Sequence, residues 1–151
     1  MLVRLTYASR ATRDIDDALI DSILEHSWKH NREVGITGVL CTYPQANVFI
    51  QVLEGSRPAV NSLYAAILRD PRHREVTLLD YAEIAERRYA GWRMGSINLN
   101  RVNQGIILRF SETPVLDPFS MSGAAVLALL EELIKTGSIV IRDAPSKTPA
   151  S

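Results

Sequence analysis

Gly35–Gly55 reads GITGVLCTYPQANVFIQVLEG, two apolar runs, Val39–Tyr43 and Val48–Leu53, set around the turn-forming stretch Pro44-Gln45-Ala46-Asn47. This pattern predicts an antiparallel hairpin. One residue sits oddly in it. Gln51 has only apolar near neighbours in Phe49, Ile50, Val52 and Leu53. A side-chain amide in such company costs free energy unless its donors and acceptors are paired. Gln51 therefore needs hydrogen-bonding partners from another part of the fold.

Upstream of the hairpin, Leu19, Ile23, Ser27 and Asn31 recur every four residues, and Ile20, Leu24 and Trp28 form the adjacent stripe. Together they predict a helix that ends near Asn31 and whose apolar face turns polar at Ser27 and Asn31. Asp14 or Asp16 can cap its start, where the acidic cluster with Asp17 suits the positive end of the dipole. Before it, Leu2–Ala8 alternates as a strand, with Val3, Leu5 and Tyr7 on one face and a half-buried face opposite. Ser9–Asp14 reads as a polar loop.

Downstream, Pro58 suits the first turn of a second helix. Val60, Leu63, Tyr64, Ile67 and Leu68 then give the cleanest amphipathic spacing in the chain. Asp70-Pro71 stops it. Val76–Tyr81 and Gly91–Ile97 are the last two strand candidates. The order β-α-β-β-α-β-β, with right-handed crossovers, places both helices on one face of one antiparallel sheet. The expected fold class is α+β, a ferredoxin-like sheet with an extra strand. After Pro114 and Pro118, Met121–Lys135 regains helical spacing through Val126, Leu129, Leu130, Leu133 and Ile134. Gly137 suits a C-cap and Ala144–Ser151 a frayed tail. The expected organisation is a domain over 1–98, a helical extension over 99–143 that packs on the sheet or on a partner, and a disordered tail over 144–151.

Composition narrows the function classes. The 151 residues suffice for one domain with a real core, and a net charge of zero with pI near 6.8 gives no electrostatic case for nucleic-acid or membrane binding. A lone cysteine, Cys41, excludes an internal disulfide framework, and three scattered histidines suggest no metal site. The N-terminal apolar run is too short for a signal peptide and nothing reaches membrane-spanning length, so a cytoplasmic protein is expected.

Tyr7 and Gln51 stand out as chemistry. If their strands are neighbours, a phenol and an amide touch on the helix-facing side. The plainer alternative is a buried tyrosine satisfied by a chance amide. Ser27 and Asn31 read either as a helix end or as polar groups beside a planar heterocycle. Asp70, Arg72 and His73 read either as a charged surface turn or as a grip on a polar cofactor tail or phosphate. His30 and Trp28 precede Asn31. Trp92 and Met94 alternate with Arg93 and are expected to share a strand face, with core packing as the ordinary role. No nucleophile motif, dinucleotide fingerprint or phosphate-binding loop is present.

In this order, YAS near the N-terminus, HN before GITG, FIQVLEG, DPRH and ERRYAGWRMG resemble the BLUF family of flavin-binding blue-light sensors, over about Leu2 to Ile97. The resemblance implies FAD (with FMN or riboflavin able to substitute) held between the two helices, with Ile23 and Ile67 sandwiching its ring. It implies Asn31, with Ser27 one turn earlier, at the ring's polar edge, and His30 beside them. Gln51 would lie against the ring, Tyr7 would bond to Gln51, and Asp70, Arg72 and His73 would run along the ring edge and ribityl chain. Trp92 and Met94 would carry the signal out. The implied cycle is light-driven: Tyr7 gives up an electron and, through Gln51, a proton. The Gln51 amide is left rotated or tautomerised, with a stronger bond to the flavin carbonyl and a redder spectrum. Tyr89 stands where the family usually has Phe, and His30 precedes Asn31 in only some members. The chain resembles a short stand-alone member that is no enzyme, and it is expected to signal to a separate protein and to form a homo-oligomer. Two alternatives from other classes are a flavin-dependent oxidoreductase and a cofactor-free ferredoxin-like interaction module.

Overall fold

The computed structural model describes residues 1–136. Five strands and two long helices come first: β1 (Leu2–Ala11), α1 (Asp17–Val34), β2 (Thr37–Tyr43), β3 (Val48–Ser56), α2 (Arg57–Arg69), β4 (His73–Ile84) and β5 (Gly95–Asn98). The short α3 (Gln104–Leu108) and the longer α4 (Gly123–Thr136) follow. The strands lie side by side in the order β4-β1-β3-β2-β5. The fold is a ferredoxin-like α+β sheet with a C-terminal helix.

Local chemistry sets the element ends. Asp16, rather than Asp14, caps α1, its Oδ1 accepting from Leu19 N at 2.8 Å. Gly35 closes that helix in the left-handed region at φ 71°. The hairpin turns through a 3-10 segment, Pro44–Ala46, and Asn47 at φ 54°. Ser56 caps α2 by accepting from Ala59 N at 3.2 Å. Gly38 is needed where β2 meets β3, because a Cβ there would lie 1.9 Å from Val52 O.

Two cores sandwich the sheet. One gathers Val3, Leu5 and Tyr7 of β1 and Phe49 and Leu53 of β3 under Leu19, Ile20 and Leu24 of α1 and Val60 of α2. The other joins Ala8, Val39, Cys41, Ile50, Val52 and Ile97 to Val126, Leu129, Leu130 and Leu133 of α4. Cys41 is fully buried there, and desolvation pushes its thiol pKa far above the ordinary value. Among the described residues, no helix is long and apolar enough to cross a membrane.

Several sequence expectations need correction. The sheet is mixed, not antiparallel throughout, because β5 pairs with β2 in parallel. β5 is Gly95–Asn98 rather than Gly91–Ile97, so Trp92 and Met94 precede the strand. α1 runs past Asn31 to Val34, which leaves Asn31 inside the last turn. β1 continues through the expected Ser9–Asp14 loop as far as Ala11, because β4 pairs with it up to Ala11↔His73. The second face of β1 is half-buried as expected: Leu2, Arg4 and Arg10 keep partial exposure, while Thr6 and Ala8 are both 0% exposed. The expected cap at Gly137 and tail over 144–151 lie outside the described residues.

Candidate functional site

β1 and β3 are neighbouring antiparallel strands, and their register sets Tyr7 directly opposite Gln51. Cross-strand partners share a face, so phenol and amide meet beneath the helices. Tyr7 Oη donates to Gln51 Oε1, and Gln51 Nε2 donates to Met94 Sδ at 3.4 Å. Both ends of the misplaced amide are thereby paired. Tyr7 is 3% exposed and Gln51 5%. Burial pushes the Tyr7 pKa far above the ordinary phenol value; Asp70 and Tyr64 add to the rise and Arg72 opposes it. Tyr7 is a neutral phenol that holds its proton, and Gln51 Oε1 is the acceptor in place for it.

Above this floor lies a cleft of about 100 Å³ between α1 and α2. Ile23 of α1 and Leu63, Ala66 and Ile67 of α2 wall it, and Leu40 and Phe49 join Tyr7 and Gln51 on the sheet side. Its polar rim is His26, Ser27, Asp70, Arg72 and His73. Arg72 grips Asp70, its Nε donating to Oδ1 at 3.0 Å and its Nη2 to Oδ2 at 2.6 Å. That bond lowers the Asp70 carboxyl pKa below its usual value. His73 is anchored at both nitrogens, by Ile67 O at 2.7 Å from Nε2 and Ser9 Oγ at 2.8 Å from Nδ1. The carbonyl can only accept, so Nε2 carries a hydrogen. The ring meets Tyr7 edge-on, 6.1 Å between centroids.

Asn31 lies beside this cleft rather than on its wall. It is 1% exposed and its Nδ2 donates to Arg93 O at 2.9 Å, while its Oδ1 has no partner among the described residues. Trp28 Nε1 donates to Met94 O at 3.0 Å. α1 thus holds the segment that carries Met94. Of the residues singled out in the sequence, Tyr7, Ile23, Ser27, Gln51, Ile67, Asp70, Arg72 and His73 line one space. His30 is not on that wall but stacks on His26, which is, at 6.4 Å between parallel rings.

Trp92 and Met94 do not share a face. Met94 is fully buried in the helix-side core, whereas Trp92 packs in the opposite core and stacks on Tyr89 at 5.7 Å. The two-residue alternation fails because the segment has not yet entered β5. Sequence reasoning passed over His26, Leu40, Phe49, Leu63 and Ala66 as cleft residues. His26 lies between Ile23 and Ser27 of the stripe and three residues after Ile23, a helical spacing that could have brought it in.

The donor set fits a planar heterocycle with a polar edge. The walls are apolar, and Gln51, Ser27 and His73 line the same space. Beside the cleft, the buried Asn31 Oδ1 is an acceptor with no partner among the described residues.

Comparison with known proteins agrees with this chemistry. The family model "BLUF: Sensors of blue-light using FAD" matches residues 2–95. The photoactivated adenylate cyclase subunit beta of Euglena longa is 38% identical over 96 residues, 63% of this chain and 11% of that protein. The subunit alpha of Euglena gracilis is 38% identical over 88 residues, 58% of this chain and 8% of that protein. The chain thus spans only about a tenth of the length of these relatives. Among solved structures, the photo-activated state of BlsA superposes with a TM-score of 0.77 at 29% identity, covering 97% of this chain and 100% of that one. The dark state of BlrB, described as a BLUF protein, gives 0.73 at 30% identity, covering 90% and 96%. A bacterial light-regulated adenylyl cyclase gives 0.65 at 29% identity, covering 91% of this chain and 35% of that one.

Proposed function

Since the chain belongs to the BLUF family of flavin-binding blue-light sensors, we propose that it is a photoreceptor whose switch is the bonded row Tyr7–Gln51–Met94. The family is a sensor module rather than an enzyme, which sets aside the oxidoreductase and the cofactor-free readings. A flavin bound in the cleft supplies the blue-light chromophore and an electron acceptor. The native flavin in this reading is FAD. The Asp70–Arg72 fork and His73 at the rim offer charged and polar groups to a ribityl phosphate, which FAD shares with FMN and riboflavin lacks.

The chain's own residues divide the work. Ile23 and Ile67 would hold the ring from α1 and α2, Ser27 and Asn31 would meet its polar edge, and His30, off the cleft wall, would reach it only through His26. Tyr7 holds a proton that its buried site forbids it to release alone, so loss of an electron and loss of the proton are tied together. Gln51 Oε1 receives that proton, and the amide, free to rotate or tautomerise, exchanges its partners. Met94 Sδ is a weak acceptor, so its bond to Gln51 Nε2 is easily given up. The observation that carries this reading is the pairing of a buried phenol with a buried amide on the floor of a cleft with apolar walls and a polar rim.

The receiver of the signal, in this proposal, is a separate cytoplasmic protein or a second copy of this chain. The test is an absorption spectrum of the flavin-loaded protein before and after blue light. The band should move to the red and return in darkness. Tyr7→Phe and Gln51→Leu should keep the flavin and lose the shift entirely. An intact photocycle in either variant would overturn the switch. Chromatography of the released flavin decides between FAD and its shorter relatives.

A further inference from the structure

The flavin reading makes no use of a buried carboxylate on the other face of β3. Glu54 is 0% exposed. Its Oε2 accepts from Arg4 Nε at 3.1 Å and from Arg88 N at 2.9 Å, and its Oε1 accepts from Tyr89 N at 2.7 Å. A buried charge with every donor in place is costly to disturb. Its effect is to pin the start of the segment that ends at Met94. Arg87 reinforces the pin, its Nη1 donating to Thr37 Oγ1 at 2.9 Å and to Glu54 O at 3.3 Å.

The other end of that segment is fixed just as firmly. Gly38 N holds Trp92 O at 3.0 Å, Asn31 Nδ2 holds Arg93 O, and Trp28 Nε1 holds Met94 O. β3 therefore touches the segment at both ends and from both faces: through Gln51 at Met94, and through Glu54 at Arg88 and Tyr89. With its backbone gripped at each end, the segment passes a displacement on rather than absorbing it.

Beyond the pin lies α4. Arg88 Nη1 meets Glu131 Oε1 at 2.7 Å, and the buried Tyr89 ring shares a core with Leu129 and Leu130. We propose that Glu54 and Arg88 form a clasp that transmits the state of Gln51 to α4, with Glu54 as a positioning residue for the Met94 segment. This inference rests on the photoreceptor reading. A change in the Gln51–Met94 bond shifts the segment about the Glu54 pivot, and Arg88 and Tyr89 carry the shift to α4.

The experiment is amide hydrogen exchange of α4 in the flavin-loaded protein, in darkness and under continuous blue light, with the absorption spectrum read on the same sample. In the native chain, light should change α4 exchange by about fivefold or more, the ordinary scale of coupling between sites. Arg88→Glu should keep the red shift and lose that contrast, and Arg88→Glu with Glu131→Arg should restore it. Glu54→Gln, which cannot accept from all three donors, should also keep the shift and lose the contrast. If Glu54→Gln does not fold, the surface charge swap decides alone. Full contrast in Arg88→Glu, or none in a native chain whose spectrum does shift, overturns the clasp. A native chain without any red shift overturns the photoreceptor reading, and the clasp with it.

Discussion

α2 and α4 carry the same apolar spacing, Val60, Leu63, Tyr64, Ile67 and Leu68 in one and Val126, Leu129, Leu130, Leu133 and Ile134 in the other. Their fates differ. α4 lies against the sheet with Val126, Leu129, Leu130 and Leu133 all 0% exposed. α2 buries only Val60 completely; Leu63 and Ile67 wall the cleft and Leu68 is 53% exposed. Periodicity fixes which side of a helix turns inward, and it says nothing of what waits there. For α4 it is protein. For α2 much of it is the open cleft, so the stripe that looks like core is half core and half cleft wall.

That contrast can be broken by substitution. Leu130→Ala should cost about 2–5 kcal/mol in urea unfolding, since it opens a cavity in a closed layer. Ile67→Ala should cost the flavin-free protein under about 1 kcal/mol, because its side chain already faces the cleft. The same change should weaken flavin binding about tenfold, equivalent to about 1.4 kcal/mol, read by fluorescence titration. Equal stability losses at Leu130 and Ile67 would erase the distinction between the two helices.

The smallest effect belongs to the rim. Arg72 holds the Asp70 pKa below the ordinary carboxylate value. The folded value is the lower one, so the pair's stabilisation is complete above the unfolded value, about pH 4, and disappears as pH falls through the folded value. Solvent screening at the rim keeps it under about 0.5 kcal/mol. Comparing Asp70→Asn with the native chain by urea unfolding should show a gap at pH 7 that closes toward pH 2. A gap that widens in acid would mean that the fork does not stabilise the fold.

The strands of the hairpin, both long helices and the stop at Asp70-Pro71 were legible because each rests on local patterning: alternation, helical spacing, a proline. The Tyr7–Gln51 pairing was legible as a possibility, and the resemblance to a known family gave it a reason. The parts that stayed hidden depend on tertiary contacts. Nothing local says that β5 runs parallel to β2, since that is set by how the segment after β4 is pinned at Glu54 and Gly38. The same pinning turns Trp92 to one core and Met94 to the other. The layer that covers Ala8 of β1 was invisible because its residues come a hundred positions or more later, in α4.

The burial of Cys41 gives the molecule a practical property. Its thiol is sealed between sheet and α4 and held protonated, so alkylating reagents find no thiolate to attack in the folded chain. A cysteine placed at an exposed α4 position, such as Ala124→Cys, would then be the one site to take a fluorophore or spin label. Left unlabelled, Cys41 becomes a clock. Its slow alkylation counts how often the helical layer lifts from the sheet, and doing so in light and in darkness times that motion directly.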